Sequence, residues 1–504
     1  MAFWLPALAL LSPPVGPHIG LKPADHAGCP TFRADQPIIG TYFFYWYNSA
    51  TGEHFVDHDG TDAMTTHPLR RPGEPYAYDS LDWWRGELAD VRSAGIDFIA
   101  PVYWGTPEDN PMWAWSYVGL RTLAQLIAQQ QAAGQPVTPV AMFYDTSTLA
   151  HNRSGYHAEL DTERGKVWFY ETIRNFWSLL PPSAWCRIDG RPVIILYAGA
   201  FAKTHDEALF ADMKRRFAAD FGVEPYLIKH VDWPGTADGV ITWGGALGLR
   251  INTAAAVGPG YDHSAVPGRA PLIVDREESR FYQDNWQRLL AMNPAQRPKL
   301  VMVETWNEFH EGTDVAPSVE YGRLYVEWTR WFANQWHVGG RLPLGGAYAG
   351  KSEVTWQAGD GPPGGITVKP AADGQFQATE QGGRAAIVTS PNPHGPARYL
   401  YANADWSFAY DLTDGRFEIE VTFWDSGCQS FGLEYDSRDP QGSVREGAFK
   451  AGGSAALGGT AAWRTATFVL DDARLADRTN GADFRLVASG GELTIAALRL
   501  RRLP

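Results

Sequence analysis

The chain has 504 residues but only three cysteines, Cys29, Cys186 and Cys428, far apart and odd in number. They give neither a zinc-ligand spacing nor a CxxC redox pair, and at most one disulfide could form, so crosslinks do not carry the fold. Basic charge is also scarce. Lys and Arg number 43 against 57 Asp and Glu, a net charge of −14. A surface of that sign repels phosphate, which argues against nucleic acid and anionic membrane as partners. Long hydrophobic runs are missing: Phe3–Leu11 is apolar but too short to span a bilayer. The run resembles the core of a secretory signal, although no Lys or Arg precedes it. Residues 1–30 are therefore read as a leader and possible signal segment, and the protein as secreted or periplasmic with no membrane span. No repeat of fixed period is present, and no GxGxxG follows the first strand-like run, which weakens the alternative of an open doubly wound sheet.

Aromatic residues are abundant: 21 Trp, 21 Tyr and 24 Phe. Sugar clefts have this composition because ring faces stack on the apolar faces of sugars; a large core has it too. At 44% hydrophobic and 20% charged the chain is globular, with length for two to four domains or a barrel plus an accessory module.

From Pro37 to Trp336, short apolar runs alternate with helix-like segments. The candidate strands are 38–46, 96–103, 138–144, 192–197, 224–229, 239–243, 253–257 and 299–304. Most are apolar on both faces, as parallel strands covered by helices are. The candidate helices are 80–94, 115–133, 163–179, 205–221, 277–292 and 320–336, and the link between the fifth and sixth strands is too short for one. The pattern predicts an α/β fold, a (β/α)8 TIM barrel over 31–338. A Gly/Pro-rich linker follows at 339–355. Residues 356–504 carry short alternating segments such as 417–423, 431–435 and 484–488, a β-sandwich signature. That domain is either carbohydrate-binding in type or a structural cap.

The most informative segment is Val301–Thr313, VMVETWNEFHEGT. An apolar strand runs into Glu304, Trp306, Asn307, Glu308, His310 and Glu311, where a barrel keeps its catalytic groups. Crowding three carboxylates beside Trp and His raises at least one pKa, which suits a general acid; the alternative is a solvated loop. Glu308 and Glu311 are three apart, so a helical turn would place both on one face. An ordinary retaining pair flanks the bond from opposite sides. Two acids from one loop fit instead a mechanism in which the sugar's own hydroxyl is the nucleophile.

WNEFHEGT closely resembles the WNEWHEGT motif of the endo-α-mannosidase family of glycoside hydrolases, family ninety-nine, and related α-glucanases look similar. Val257-Gly-Pro-Gly-Tyr261, followed by Tyr282 and Trp286, resembles that family's GPGY segment. GTYFFYWYN and TGEHFVDHDGTDAMTTHP look more like an uncharacterised bacterial branch, in which such a barrel carries a β-rich C-terminal domain. The resemblance covers about residues 37–336. It implies that Glu308 is the base that deprotonates the sugar 2-hydroxyl, and that a 1,2-anhydro sugar forms. Glu311 is then the acid/base, and the configuration is retained. Phe309 stands where the family usually has Trp.

Other candidates follow from the strand ends: Tyr45, Trp46, Tyr103, Trp104, Asp145, Tyr197, Trp243 and, from GPGY, Tyr261. With Glu304, Asn307 and His310 they make up the expected substrate-binding set; each alone reads equally as packing. Asp57, Asp59 and Asp62, with Gly60 between, resemble the start of a calcium loop, but Pro68 occupies the position of the closing Glu. An Asx-turn or a direct substrate contact explains them as well. The expectation is an endo-acting glycosidase of an α-linked polysaccharide or oligosaccharide, with no required cofactor and calcium as the one candidate metal. Its rivals are a non-catalytic glycan-binding protein, a metal-dependent hydrolase using the DHDGTD loop, and an inverting α-glucanase, whose acid and base stand farther apart.

Overall fold

The computed structural model describes residues 15–107, 114–269, 272–343, 345–359, 361, 364–368, 370, 373–392, 395–442 and 447–504. The apolar run Phe3–Leu11 lies outside the described residues. The chain divides into two compact units: Met1–Leu290 with Gln296–Gly340, and Ala291–Ala295 with Arg341–Pro504.

The first unit holds eight parallel strands: β1 (Ile38–Phe43), β2 (Phe98–Tyr103), β3 (Met142–Tyr144), β4 (Arg191–Leu196), β5 (Tyr226–His230), β6 (Gly239–Ile241), β7 (Ala254–Val257) and β8 (Leu300–Val303). Nearly every residue in β1, β2, β3 and β8 is buried, which is why these runs are apolar on both faces. The strands pair in the order β6-β5-β4-β3-β2-β1-β8-β7. The two ends of this sheet approach each other through Thr253, whose Oγ1 accepts from Val240 N at 2.6 Å and donates to Val240 O at 3.2 Å. The sheet is thus a nearly closed, barrel-like cylinder. Inside it, Gly40 of β1 sits where a Cβ would strike Phe98 and Met302, so the two side chains fill the space a larger residue would need.

Six α-helices accompany the strands among the described residues: α1 (Leu81–Ser93), α2 (Ala114–Ala132), α3 (Glu163–Leu179), α4 (Leu209–Phe221), α5 (Arg280–Ala291) and α6 (Leu324–His337). Their ends follow local chemistry. Ser80 caps α1 by accepting from Trp83 N, Thr162 caps α3 by accepting from Gly165 N, and α4 stops at Gly222 in the left-handed region. The expected (β/α)8 pattern is met in its strands but not in its helices. The β5–β6 link carries no helix, and the β6–β7 link carries only the 3-10 turn Gly245–Leu247 and the short strand Arg250–Ile251. The last helix begins at Leu324 rather than at Glu320, because Ser318 and Gly322 exchange both backbone hydrogen bonds in a turn and Gly322 takes a left-handed φ of 57°.

The second unit is antiparallel β-structure. Its strands are β9 (Glu353–Gln357), β10 (Ile366–Val368), β11 (Phe376–Gln381), β12 (Arg384–Thr389), β13 (Arg398–Ala404), β14 (Gly415–Trp424), β15 (Ser430–Tyr435), β16 (Lys450–Ala456), β17 (Trp463–Ala473), β18 (Phe484–Ser489) and β19 (Thr494–Arg502). One sheet runs β11-β12-β19-β14-β17, with β9 also on β19, and the other runs β10-β13-β18-β15-β16. Strict alternation along β14 turns Phe417, Ile419, Val421 and Phe423 inward, where they join Leu433, Leu486 and Leu498 in one core. All three cysteines are free, and no described helix is long and apolar enough to cross a membrane.

Candidate active site

A cavity of about 970 Å³ opens at the carboxyl ends of the parallel strands. Its wall includes Phe44 and Trp46 after β1, Trp104 after β2, Phe143 and Asp145 at β3, Tyr197 after β4 and Trp243 after β6. Trp243 stacks on Phe143 at a centroid distance of 5.6 Å and 3° between planes, and Tyr42 tilts against both rings. Trp46 stacks on His54 at 4.9 Å and 3°.

The segment after β8 supplies the carboxylates. Residues 305–315 fold back on themselves rather than continuing as a strand or helix. Thr305 N donates to Thr313 O, Thr313 N to Glu308 O, and Val315 N to Thr305 O. Glu308 and Glu311 are thus carried on a turn, not on the helical turn their spacing suggested. Asn307 anchors it to the end of β1: its Oδ1 accepts from Phe44 N at 2.8 Å and its Nδ2 donates to Phe44 O at 2.7 Å. Trp306 Nε1 donates to the buried carboxyl of Glu87 on α1 at 2.8 Å. Arg276 donates to the carbonyls of Gly312 and Asp314 and to the Asp314 carboxylate, all at 2.8–2.9 Å, with its guanidinium against Tyr321 and Tyr325.

Three acids of this segment line the cavity. Glu308 is 3% exposed, and its Oε1 accepts from His310 N at 2.9 Å and lies 2.8 Å from His310 Nδ1. His310 Nε2 lies 3.0 Å from the carbonyl oxygen of His54. Burial raises the Glu308 pKa above the usual carboxylate range, against the lowering by His310's charge and hydrogen bond. Burial alone would lower His310, but Glu308 beside it raises it. Burial and the charge of His310 push His54 down to about 3, so its ring is neutral. Glu311 pairs with Arg269. Near it, burial and the Glu311 charge push the Tyr261 hydroxyl up to about 12. Glu304 is 1% exposed, and its Oε2 accepts from Gly244 N at 2.9 Å and Gly245 N at 2.6 Å. Burial pushes it up to about 8 despite these donors. Asp145, raised by burial, accepts from Trp104 Nε1 at 2.6 Å and from Ser147 N at 3.0 Å.

Of the expected residues, Trp46, Trp104, Asp145, Tyr197, Trp243, Tyr261, Glu304, Glu308, His310 and Glu311 all line this cavity. Three others do not. Tyr45 is buried with its hydroxyl donating to Ser116 O, Tyr103 packs its ring on Phe176 of α3, and Asn307 spends its amide on Phe44. Asp57 reaches the cavity rim, but Asp59 and Asp62 do not join it as a ligand set. Asp59 accepts from Thr61 N and Oγ1, and Asp62 accepts from Met64 N and lies 2.8 Å from His67 Nε2. Among the described residues no three His, Cys, Asp or Glu side chains are grouped so as to hold a metal ion. Asp59 and Asp62 of the DHDGTD loop make the hydrogen bonds of Asx-turns, each accepting from the backbone two residues on. Lining residues outside the expected set include His54, Phe143, Ser147, His151 and Arg269. Phe143 was legible as a residue near the end of the third strand; the others lie in loops without periodicity.

The fold and site define a mixed α/β protein with a barrel-like parallel sheet and an acid-bearing, aromatic-walled cavity at its strand ends. Residues 27–342 match the family described as "Domain of unknown function (DUF5010)", and the chain belongs to that family. No curated protein matches it. Among solved structures it is similar to two of the GH99 endo-α-mannosidase from Bacteroides thetaiotaomicron, at 16% and 14% identity and a TM-score of 0.43 over 61% of this chain and 99% of that one. It is similar to a glycoside hydrolase-like protein at 14% identity and a TM-score of 0.42, over 62% and 97%. It is also similar to a carbohydrate binding module from Cellvibrio mixtus lichenase 5A, at 16% identity and a TM-score of 0.17, over 30% and 97%.

Proposed function

We propose that this protein is a secreted or periplasmic glycoside hydrolase that cleaves an α-linked polysaccharide or glycan internally and with retention. The single observation behind this reading is that Glu308 and Glu311 lie on one turn, face one aromatic-walled cavity, and have different partners: His310 for one, Arg269 for the other. The resemblance of WNEFHEGT to the endo-α-mannosidase motif supplies the roles. Glu308 accepts the proton of the sugar 2-hydroxyl, and the oxygen so freed attacks the anomeric carbon. The bond to the leaving oxygen breaks, and that oxygen takes a proton from Glu311. Water, giving its proton to Glu311, then opens the 1,2-anhydro ring at the anomeric carbon, and the 2-oxygen is reprotonated from Glu308. Two inversions give net retention. On this reading the first unit is a (β/α)8 barrel with two helices reduced to loops. The aromatic wall of Trp46, Trp104, Tyr197 and Trp243 offers ring faces to the sugar.

Proton NMR of the products formed from α-mannans, α-glucans and bacterial exopolysaccharides, followed from the first anomer, tests this. The expected outcome is a retained anomer from one of these substrates. Glu308→Gln and Glu311→Gln should each slow turnover by about two to four orders of magnitude, with an unchanged circular dichroism spectrum. An inverted first product removes the neighbouring-hydroxyl mechanism. Sugar binding without turnover makes the protein a glycan-binding relative instead.

A further inference from the structure

The cavity wall is not uniform. Around the ends of β1 to β4 and β6 it is aromatic, with Trp46, Trp104, Phe143, Tyr197 and Trp243. After β7 the chain leaves the barrel in a short antiparallel ribbon, where Tyr261–Asp262 pairs with Ile273–Val274. The excursion between these two segments gives the wall Val266, Pro267 and Leu272, and the 3-10 turn Gly245–Leu247 adds Leu247. All four are aliphatic. Leu272 is 46% exposed and Leu247 36%, so both present apolar surface that the first unit leaves uncovered.

The same ribbon holds Glu311. Asp262 N donates to Glu311 O at 2.9 Å, and Arg269, from the excursion, pairs with the Glu311 carboxylate. The aliphatic residues therefore stand on the side of the cavity where, on the glycosidase reading, the leaving oxygen takes its proton. Two polar residues of the ribbon also reach the wall, Tyr261 and Arg269, and both are engaged. The Tyr261 hydroxyl lies 2.9 Å from His263 Nδ1, and Arg269 is on Glu311.

A sugar suits such a surface poorly. Its hydroxyls need donors and acceptors once they leave water, and its apolar faces stack on rings; Val, Pro and Leu side chains offer neither. An alkyl chain needs no hydrogen bond and gains with each methylene it covers.

We propose a further activity of this site: cleavage of α-glycosides whose leaving group is an aliphatic alcohol. The aromatic wall holds the sugar, and Leu247, Val266, Pro267 and Leu272 cover the alkyl chain. The chemistry rests on the glycosidase reading. The bond between the anomeric carbon and the glycosidic oxygen breaks, and that oxygen keeps its alkyl carbon and departs as the alcohol with the proton of Glu311. Water then gives a proton to Glu311 and a hydroxyl to the anomeric carbon. The natural form of such a substrate is a glycan carried on a lipid alcohol, released whole.

Methyl, butyl and octyl α-mannosides and α-glucosides, kept below micelle-forming concentration, are the probes. They share the 2-hydroxyl and an unactivated leaving oxygen, and differ in chain length. With release of the alcohol as the readout, kcat/KM on the sugar that is cleaved should rise at least about tenfold from methyl to octyl, since a fully buried methylene is worth about fourfold and part of the chain is covered. Leu247→Asn with Leu272→Asn should bring the octyl-to-methyl ratio to within about twofold of one. Both side chains are partly exposed, so this variant is expected to fold. Val231→Asn, at an exposed valine just past β5 and outside the cavity wall, should keep the wild-type ratio. A series flat in chain length overturns the proposal, and so does a rise that survives in the double variant. Where no sugar is cleaved, isothermal titration with the same series reads the surface without turnover. Affinity that rises with chain length in the wild type and not in the double variant then keeps the aliphatic surface as a binding site, while the activity fails together with the hydrolase reading. Flat affinity overturns both the surface and the activity. A polysaccharide cleaved with retention, with neither rate nor affinity responding to chain length, leaves the hydrolase reading standing and removes this one.

Discussion

His310 has its two ring nitrogens against two oxygens, Glu308 Oε1 at 2.8 Å and His54 O at 3.0 Å. A carbonyl oxygen only accepts, so Nε2 carries a proton. The proton on the other side is shared between Nδ1 and Glu308, and the pair is either imidazolium with carboxylate or two neutral groups. Both forms have the same net charge, so the pair can be buried while Glu308 remains able to take a proton from a substrate. Burial pushes Glu308 up, while the charge and hydrogen bond of His310 hold it down. Replacing the ring removes the lowering and leaves the burial. For His310→Leu the acid limb of the kcat/KM profile, set by ionisation of the base, should therefore move to higher pH. A limb that stays in place would mean that Glu308 is not the group that must ionise. Neutral His54 fits the same arrangement, since a second cation stacked on Trp46 would compete with His310 for its proton.

At the level of elements, what places these acids is the set of ties holding residues 304–314 to the barrel. Arg276 is the strongest: its side chain is 8% exposed, and its guanidinium meets two carbonyls and the Asp314 carboxylate and lies against two tyrosine rings. Removing one partner of a buried pair leaves the other uncompensated. Arg276→Met should lower the free energy of unfolding by about 3–5 kcal/mol, read as a lower midpoint in urea at unchanged slope. Arg276→Met combined with Asp314→Asn should recover part of that loss. A loss well below 1 kcal/mol would make the pair a surface-like contact. The elements themselves were largely legible from sequence, because buried parallel strands announce themselves as double-sided apolar runs and all eight were placed. Strand-end direction was not. Successive side chains alternate, so Tyr42 points at Phe143 and Trp243 inside the barrel while its neighbour Phe43 packs outward on Trp83 and Trp84 of α1. Tyr103 goes outward to Phe176 for the same reason. Counting aromatics at strand ends without tracking the alternation assigned Tyr45 and Tyr103 to a wall they do not reach. Arg276, Arg269 and Glu87 were illegible for another reason. Each meets the motif across a long sequence separation, and nothing local marks a loop arginine or a helix glutamate as a tertiary partner.

Across the whole first unit, the buried acids share one thermodynamic sign. Burial pushes Glu87 up to about 7 and Glu304 up to about 8, and raises Asp145, Asp314 and Glu308 as well. Between the ordinary carboxylate pKa and these values the folded state holds protons the unfolded chain has shed, so stability falls as pH rises through that window. Histidines modify this in two directions. His67 and His337, raised by their carboxylate partners, contribute stability below the ordinary histidine pKa that is lost as pH climbs through their raised values. His54 and His18, lowered by burial, act the opposite way, but at most about 0.4 kcal/mol of each effect is left above pH 6.5. Above that point the raised acids outweigh them. From about pH 6.5 to pH 8, Glu304 alone should remove about 2 kcal/mol. In the second unit Asp425 is lowered by hydrogen bonds from Thr460 and Gly458, and Asp439 by those from Gln441 and Lys450. Their contribution is present above the ordinary aspartate pKa and is lost only in acid, so they leave that unit flat over the same range. Scanning calorimetry should accordingly show the first unit's transition falling by a few degrees between about pH 6.5 and pH 8.5, while the second unit's stays in place. Glu87→Gln together with Glu304→Gln should flatten that fall. If the fall persists undiminished in the double variant, these two carboxyls are ionised in the folded state.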